Sequence, residues 1–399
     1  MTENEPIYLD NAATTPLLPE VAQAMHEAGL SYPGNPSSQH RQGREARRRL
    51  EEAREEIGNL LGTQTTGMEA DRVIFTSGGT EAANLAILGL NQPEQPTRAT
   101  ELVISSLEHP CVSAPAEQLE SQGVSVSRLP ARADGTAEIA SLSELNPERH
   151  RLVSLIQVNN ETGIIQPVQE AAKLCQQAGV PLHTDATQAI GKCPVNFSDL
   201  GVTALNCAAH KFHGPTGIGV LVVKHGVSLD PGLFGGFQQA GLRPGTESVP
   251  LAVGMATALR LAKENLHDNY ERLRTLQERF EQALRTGQVP GETPQPGIPV
   301  KTVGDLKQRV PHISNLIFPD VDRQALVMAL DLAGVAISTG SACASGSSKP
   351  SPTLLAMGLS EEEISGSIRV SFSALTTRDE IDGAARRILN VVNGLRQGI

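Results

Sequence analysis

Four stretches of the chain group side chains in patterns that a chemical site needs. In Ser77-Gly78-Gly79-Thr80-Glu81 two glycines stand where an apolar run gives way to a helical pattern. Such a turn aims the free N–H groups of the helix start, with the helix dipole behind them, at an anion. Thr80 adds a hydroxyl, although the same residues would serve an ordinary strand–helix turn with Thr80 as its cap. In Pro181-Leu182-His183-Thr184-Asp185-Ala186-Thr187-Gln188 an acid closes an apolar run. Buried there, Asp185 needs a cationic or strongly donating partner, unless it caps a helix. In Ala208-Ala209-His210-Lys211-Phe212-His213-Gly214-Pro215 a lysine follows a further apolar run and precedes a turn. A lysine drawn into a pocket gives up its charge readily and condenses with carbonyls, whereas at an open strand end it is a surface residue. His210 and His213 flank it, but no third ligand stands near them in sequence, so no metal is expected. The fourth stretch, Ser341-Ala342-Cys343-Ala344-Ser345-Gly346-Ser347-Ser348, sets a thiol among small residues with no apolar anchor. It reads as an exposed loop from which a nucleophile could reach a substrate. Cys175, Cys193 and Cys207 stand in helical or strand contexts and read as packing. Cys111 is the second candidate nucleophile.

The elements that must hold these residues follow from hydrophobic periodicity. Seven strand candidates cover 72–77, 101–106, 124–129, 152–158, 181–185, 204–208 and 219–224. Several are too apolar to have a wet face, as in a sheet covered by helices on both sides. Helical patterns at 80–90, 112–122 and 168–178 alternate with them, which predicts a mostly parallel or mixed α/β sheet. An Arg- and Glu-rich amphipathic pattern at 38–61 predicts a solvated, ion-paired helix. A long helix is expected over 251–285, then a Gly/Pro-rich linker over 287–299. A smaller α/β unit follows, with strands at 313–318 and 367–372 and helices at 323–333, 351–357 and 377–395.

An anion cradle, a buried-strand acid and then a lysine form, in that order, the set needed to hold pyridoxal 5′-phosphate. The cradle takes the phosphate, the acid meets the protonated ring nitrogen and the lysine takes the aldehyde. Here the chain resembles the cysteine desulfurases of the class V aminotransferase superfamily, fold-type I pyridoxal phosphate enzymes. Further motifs carry the resemblance over nearly the whole length: Tyr8-Leu9-Asp10-Asn11-Ala12-Ala13-Thr14-Thr15-Pro16, Gly34-Asn35-Pro36-Ser37-Ser38, Glu108-His109, Asn159-Asn160-Glu161-Thr162-Gly163, Gly241-Leu242-Arg243-Pro244-Gly245-Thr246-Glu247, Ser338-Thr339-Gly340-Ser341-Ala342-Cys343 and Ile368-Arg369-Val370-Ser371.

The resemblance implies a large cofactor-binding domain over 16–262 with a mixed seven-stranded sheet. It implies a smaller α/β domain from 1–15 and 263–399 that carries the Cys loop. It makes Lys211, Cys343 and His109 catalytic, with His109 also stacked on the cofactor ring. Gly79, Thr80 and His210 would hold the phosphate, Thr246 would reach the phosphate of a partner subunit, and Asp185 would meet the ring nitrogen. Asn160 and Gln188 would lie near the phenolic oxygen. Arg369, with Asn11 and Asn160, would hold the substrate carboxylate; as a residue, Arg369 also suits a structural ion pair. The implied activity converts L-cysteine to L-alanine in a homodimer. The sulfur passes to Cys343 as a persulfide and then to an acceptor protein of iron–sulfur cluster assembly or tRNA thiolation. A selenocysteine lyase or a class V aminotransferase is the alternative within the superfamily. A non-catalytic scaffold would be expected to lose Lys211, Asp185 or Cys343. Relatives with a long Cys loop usually carry Ser or Thr where this chain has Ala208, which removes one phosphate contact. The chain stops at Ile399, short of the tail with which some relatives dock a scaffold, so the acceptor stays open.

Composition bounds the rest. With 39% hydrophobic residues, 3% aromatics and no Trp, aliphatic side chains must fill the core of these 399 residues. A net charge of −11 makes the chain a poor candidate for a general nucleic-acid binder, which needs a positive field. No apolar run reaches membrane-span length, and Met1–Glu5 is polar and acidic, so a cytoplasmic location is expected. Five cysteines without a CxxC argue against a zinc ribbon and for free thiols.

Overall fold

The computed structural model describes residues 5–91, 101–340 and 349–397. All seven sheet strands expected from the apolar runs are present, as Arg72–Thr76, Glu101–Ser105, Ser125–Leu129, His150–Ser154, Leu182–Asp185, Ala204–Ala208 and Gly219–Val223. Their order across the sheet is Arg72–Thr76, Gly219–Val223, Ala204–Ala208, Leu182–Asp185, His150–Ser154, Glu101–Ser105, Ser125–Leu129. Gly219–Val223 runs antiparallel to both its neighbours and every other pairing is parallel. The carboxyl ends of the other six strands therefore share one edge of the sheet. The fourth strand ends earlier than the apolar run 152–158 suggests. Beyond Ser154 the chain still bonds the next strand, Leu155 N to His183 O and Gln157 N to Asp185 O, which carries Ile156 toward Asp185.

Side chains alternate between the two faces, as the strand period requires. Val73 and Phe75 join one apolar cluster, and Ile74 joins the other. The first face is covered by Arg41–Leu61, Val168–Ala178 and Val249–Glu264, the second by Gly79–Gly89 and Pro110–Ser121. The Arg/Glu-rich helix presents Ala46, Leu50, Ala53 and Ile57 inward and its i,i+4 pairs Arg41–Glu45 and Arg48–Glu52 outward.

The single long helix expected over 251–285 is two helices, Val249–Glu264 and Leu266–Thr286. Asn265 breaks it: its side-chain amide and its backbone N–H both bond Leu261 O. The second helix leaves the large core and packs Leu273, Leu276, Phe280 and Leu284 into a third cluster with Ile7, Leu9, Leu316, Ile368 and Ile388. That cluster lies on a small antiparallel sheet ordered Lys301–Thr302, Ile313–Ile317, Ser367–Ser371. Ile7–Tyr8 pairs with Val335–Ala336 and Asp10 bridges to Ser371, so the start of the chain is tied to its last third. The stretch expected as a linker, 287–299, has no regular element but is not open, because Val289 and Ile298 are buried in the third cluster. The helix Pro19–Ser31, which periodicity did not signal, packs on Val249–Glu264. Among the described residues no helix is long and apolar enough to cross a membrane.

Candidate active site

At the shared carboxyl edge of the sheet lies a cavity of about 230 Å³. Crevices beyond the carboxyl ends of parallel strands are where such sheets bind ligands. Ten residues singled out from sequence line it: Gly79, Thr80, His109, Cys111, Asn160, Asp185, Gln188, His210, Lys211 and Arg369. Gly79 and Thr80 start the helix after Arg72–Thr76, and His109 and Asn160 follow Glu101–Ser105 and His150–Ser154. Asp185 and Gln188 stand at and just after the end of Leu182–Asp185, His210 and Lys211 follow Ala204–Ala208, and Arg369 comes from the strand Ser367–Ser371 of the small sheet, so only the fold assembles them.

Gly79 begins its helix behind Gly78, whose φ of 159° lies at the edge of the region that L-residues avoid. The turn rests on the sheet so closely that a Cβ on Gly219 would stand 2.6 Å from Gly78 C. The helix start thus presents its N–H groups to the cavity. Beside it stand the Ala208 methyl and the Thr187 hydroxyl, 3.5 and 3.3 Å from where a Cβ on Gly79 would lie.

Asp185 is 3% exposed at its strand end. Its Oδ1 accepts from Asn206 Nδ2 at 3.0 Å and from the Thr187 N–H at 2.9 Å. Its Oδ2 accepts the Cys111 thiol at 3.4 Å. Behind Asn206 a buried chain runs on through His183 to Ser154. All three donors to the carboxylate are neutral, which leaves its charge available to a cation in the cavity.

Lys211 Nζ donates to Ala12 O and Ala13 O, both at 2.7 Å. These carbonyls were not foreseen, because a backbone acceptor leaves no signature in residue type. Gln188 Nε2 also donates to Ala12 O, at 2.8 Å. His210 contacts the Thr14 hydroxyl at 3.1 Å through Nδ1, and burial with the neighbouring lysines pushes its pKa down to about 4. His109 caps the helix Pro110–Ser121, its Nδ1 accepting the Cys111 N–H at 3.1 Å. The proton of the neutral ring therefore sits on Nε2, and burial lowers the pKa further.

Arg369 is 1% exposed. It donates to Asn160 O at 2.9 Å and pairs with Asp10 Oδ1 at 2.9 Å. The structural ion pair left open by sequence therefore exists, and the guanidinium lines the cavity as well. Asn11 is buried but does not line the cavity; its amide bonds Ser371 O and Tyr8 O, while its neighbours Ala12 and Ala13 form the wall. Thr246 lies outside the cavity on an exposed loop. Cys343 lies outside the described residues, whose nearest flanks are anchored beside the site. Ser338 exchanges backbone hydrogen bonds with Arg369, and the Ser351 hydroxyl bonds Glu161, next to Asn160. Cys175 and Cys193 are buried, and burial pushes both thiols up to about 12; Cys207 is raised too. Cys111, the second candidate nucleophile, lines the cavity.

The family model described as aminotransferase class V matches residues 7–383. A cysteine desulfurase from Cereibacter sphaeroides is 41% identical over 394 residues, covering 98% of this chain and 97% of its own. The cysteine desulfurase IscS of Dictyoglomus turgidum is 37% identical over 390 residues, covering 98% of this chain and 95% of its own. Among solved structures, a NifS-like protein from Rickettsia africae superposes with a TM-score of 0.85 at 28% identity, covering 98% of this chain and 100% of its own.

Proposed function

The chain belongs to the class V aminotransferase family, and from that premise we propose that it is a pyridoxal-phosphate-dependent cysteine desulfurase. It converts L-cysteine to L-alanine and takes the sulfur onto Cys343. The observation that carries this reading is the convergence of Asp185, His109, Lys211 and Arg369 on one cavity.

The residues fit pyridoxal 5′-phosphate. A helix start answers a phosphate, a buried carboxylate with only neutral donors answers a protonated ring nitrogen, and an amine answers an aldehyde. When bound, the cofactor supplies an electron sink for charge developing at the substrate Cα. Gly79 and Thr80 would hold its phosphate together with neutral His210. Thr187 stands where it can give the hydroxyl that Ala208 lacks. His109 would lie against the ring, with Asn160 and Gln188 near the phenolic oxygen. Lys211 would hold the aldehyde carbon and, as a neutral amine, remove the proton at the substrate Cα. Arg369 would bind the substrate carboxylate, with Asn11 and Asn160 close by.

Cys343 then attacks the substrate sulfur as a thiolate. The S–S bond forms, the Cβ–S bond breaks, and its electron pair takes a proton to become the alanine methyl. The anchoring of Ser338 and Ser351 beside Arg369 and Asn160 supports this role. The persulfide passes to an acceptor thiol protein of iron–sulfur cluster assembly or tRNA thiolation. The enzyme acts as a cytoplasmic homodimer, in which Thr246 reaches the partner's phosphate site. The exposure of Thr246, Phe234 and Phe237 on one surface loop supports the dimer.

The test is Cys343→Ala in the cofactor-loaded protein. Resting absorbance should stay normal and added L-cysteine should still shift it. Alanine formation should nearly vanish, and radiolabelled substrate sulfur should no longer stay on the chain. Alanine release at the parent rate would remove Cys343 from the reaction.

A further inference from the structure

The Asp185 carboxylate is divided in a way that gives Cys111 a task. Oδ1 is committed to Asn206 Nδ2 and to the Thr187 N–H. Oδ2, the oxygen left for a ring nitrogen, already accepts the Cys111 thiol at 3.4 Å. The thiol is held there by its backbone, since the Cys111 N–H bonds His109 Nδ1 at 3.1 Å and fixes the first turn of Pro110–Ser121. A ring nitrogen of His109, the Cys111 sulfur and a carboxylate oxygen of Asp185 all lie within 4.8 Å of one another. Cys111 is 6% exposed and lines the same cavity.

We propose that Cys111 is a positioning residue for the cofactor's ring nitrogen: its thiol shares Asp185 Oδ2 with that nitrogen and sets how strongly the carboxylate holds it. The inference rests on the reading of the cavity as a pyridoxal phosphate site. A thiol is a weak donor, so it orients the carboxylate while leaving most of its charge for the ring. A hydroxyl in its place donates more strongly to a carboxylate and takes charge away from the ring. A methyl donates nothing and leaves Oδ2 to the ring alone. The strength of the hold should therefore rank Ala above Cys above Ser.

The experiment titrates pyridoxal 5′-phosphate into the cofactor-free parent, Cys111→Ala and Cys111→Ser chains and reads the dissociation constant from cofactor absorbance. Each step in the series should change affinity about two- to tenfold, the net worth of one hydrogen bond. The pH at which a ¹⁵N-labelled ring nitrogen loses its proton, read by NMR, should move in the same order. With the 1-deaza analogue, which has carbon at that ring position, the ranking should disappear. Equal constants for the three chains, shifts of the same sign in both variants, or a ranking that persists with the deaza analogue would each overturn the proposal alone. A parent chain that takes up no cofactor would overturn it together with the reading of the cavity.

Discussion

Arg369 holds Asp10 and Asn160 O with a nearly dry guanidinium, so its truncation tests binding and structure together. Arg369→Leu should raise KM for L-cysteine about ten- to hundredfold, the worth of a charge-assisted contact, while resting cofactor absorbance stays normal. Arg369→Lys keeps a cation for Asp10 but loses the planar fork, and should recover stability more than KM. An unchanged KM in both variants would leave Arg369 purely structural. Glu108 shows a different strain at the same scale. Its Oε1 accepts the Ser105 hydroxyl and the Ile156 N–H, both at 2.7 Å, and burial raises its pKa to about 8. The unfolded chain ionises this group at ordinary carboxylate pH, whereas the folded chain keeps its proton. Between about pH 4.5 and 8 the folded state binds more protons, so this group's contribution to stability falls as pH rises. Glu108→Gln mimics the protonated form. Its stabilising effect in denaturant melts should grow across that window, by at most about 1.4 kcal/mol per pH unit. A flat difference between pH 5 and 8 would refute the buried neutral acid.

At the scale of elements, the proposed phosphate role of the Gly78–Gly79 turn depends on how closely that turn approaches the sheet. A methyl on Gly219 would meet Gly78 C at 2.6 Å and Cys207 O at 2.7 Å, both backbone atoms that cannot yield by rotation. Gly219→Ala should therefore destabilise the fold by about 1–3 kcal/mol and push the Gly78–Gly79 turn off its position. Thermal melting and pyridoxal phosphate uptake should fall together. Normal uptake in a destabilised variant would mean that the turn does not carry the phosphate. Most of the seven strands were legible as short apolar runs between turn residues, and Ser125–Leu129 by Val126 and Leu129 standing among polar residues. The break at Asn265 was not, because an amphipathic pattern continues through it while the helix changes cores.

At the scale of the whole molecule, Phe234 and Phe237 are 90% and 85% exposed on the loop that leads to Thr246. Under the proposed dimer, these two rings would be covered by the second copy. If so, Phe234→Asp should shift the sedimentation profile toward the monomer and, if Thr246 has the cross-subunit role proposed above, weaken cofactor retention. A variant that stays dimeric with normal retention would move the interface elsewhere.

Residue types and their order were enough to single out Gly79, Thr80, Asp185 and Lys211, which line one cavity, and to give the family, because such groups follow strand ends and their patterns are local. Composition alone argued for an aliphatic core and against nucleic acid. What the sequence could not decide was adjacency. Gly219–Val223 is inserted between Arg72–Thr76 and Ala204–Ala208, and it runs against both. Nothing in those five apolar residues states a direction. Likewise, the carbonyls that receive Lys211 come from Ala12 and Ala13, and the thiol on Asp185 comes from a helix start 74 residues away. Such contacts depend on which loops the folded sheet brings to one edge, and only tertiary packing specifies that.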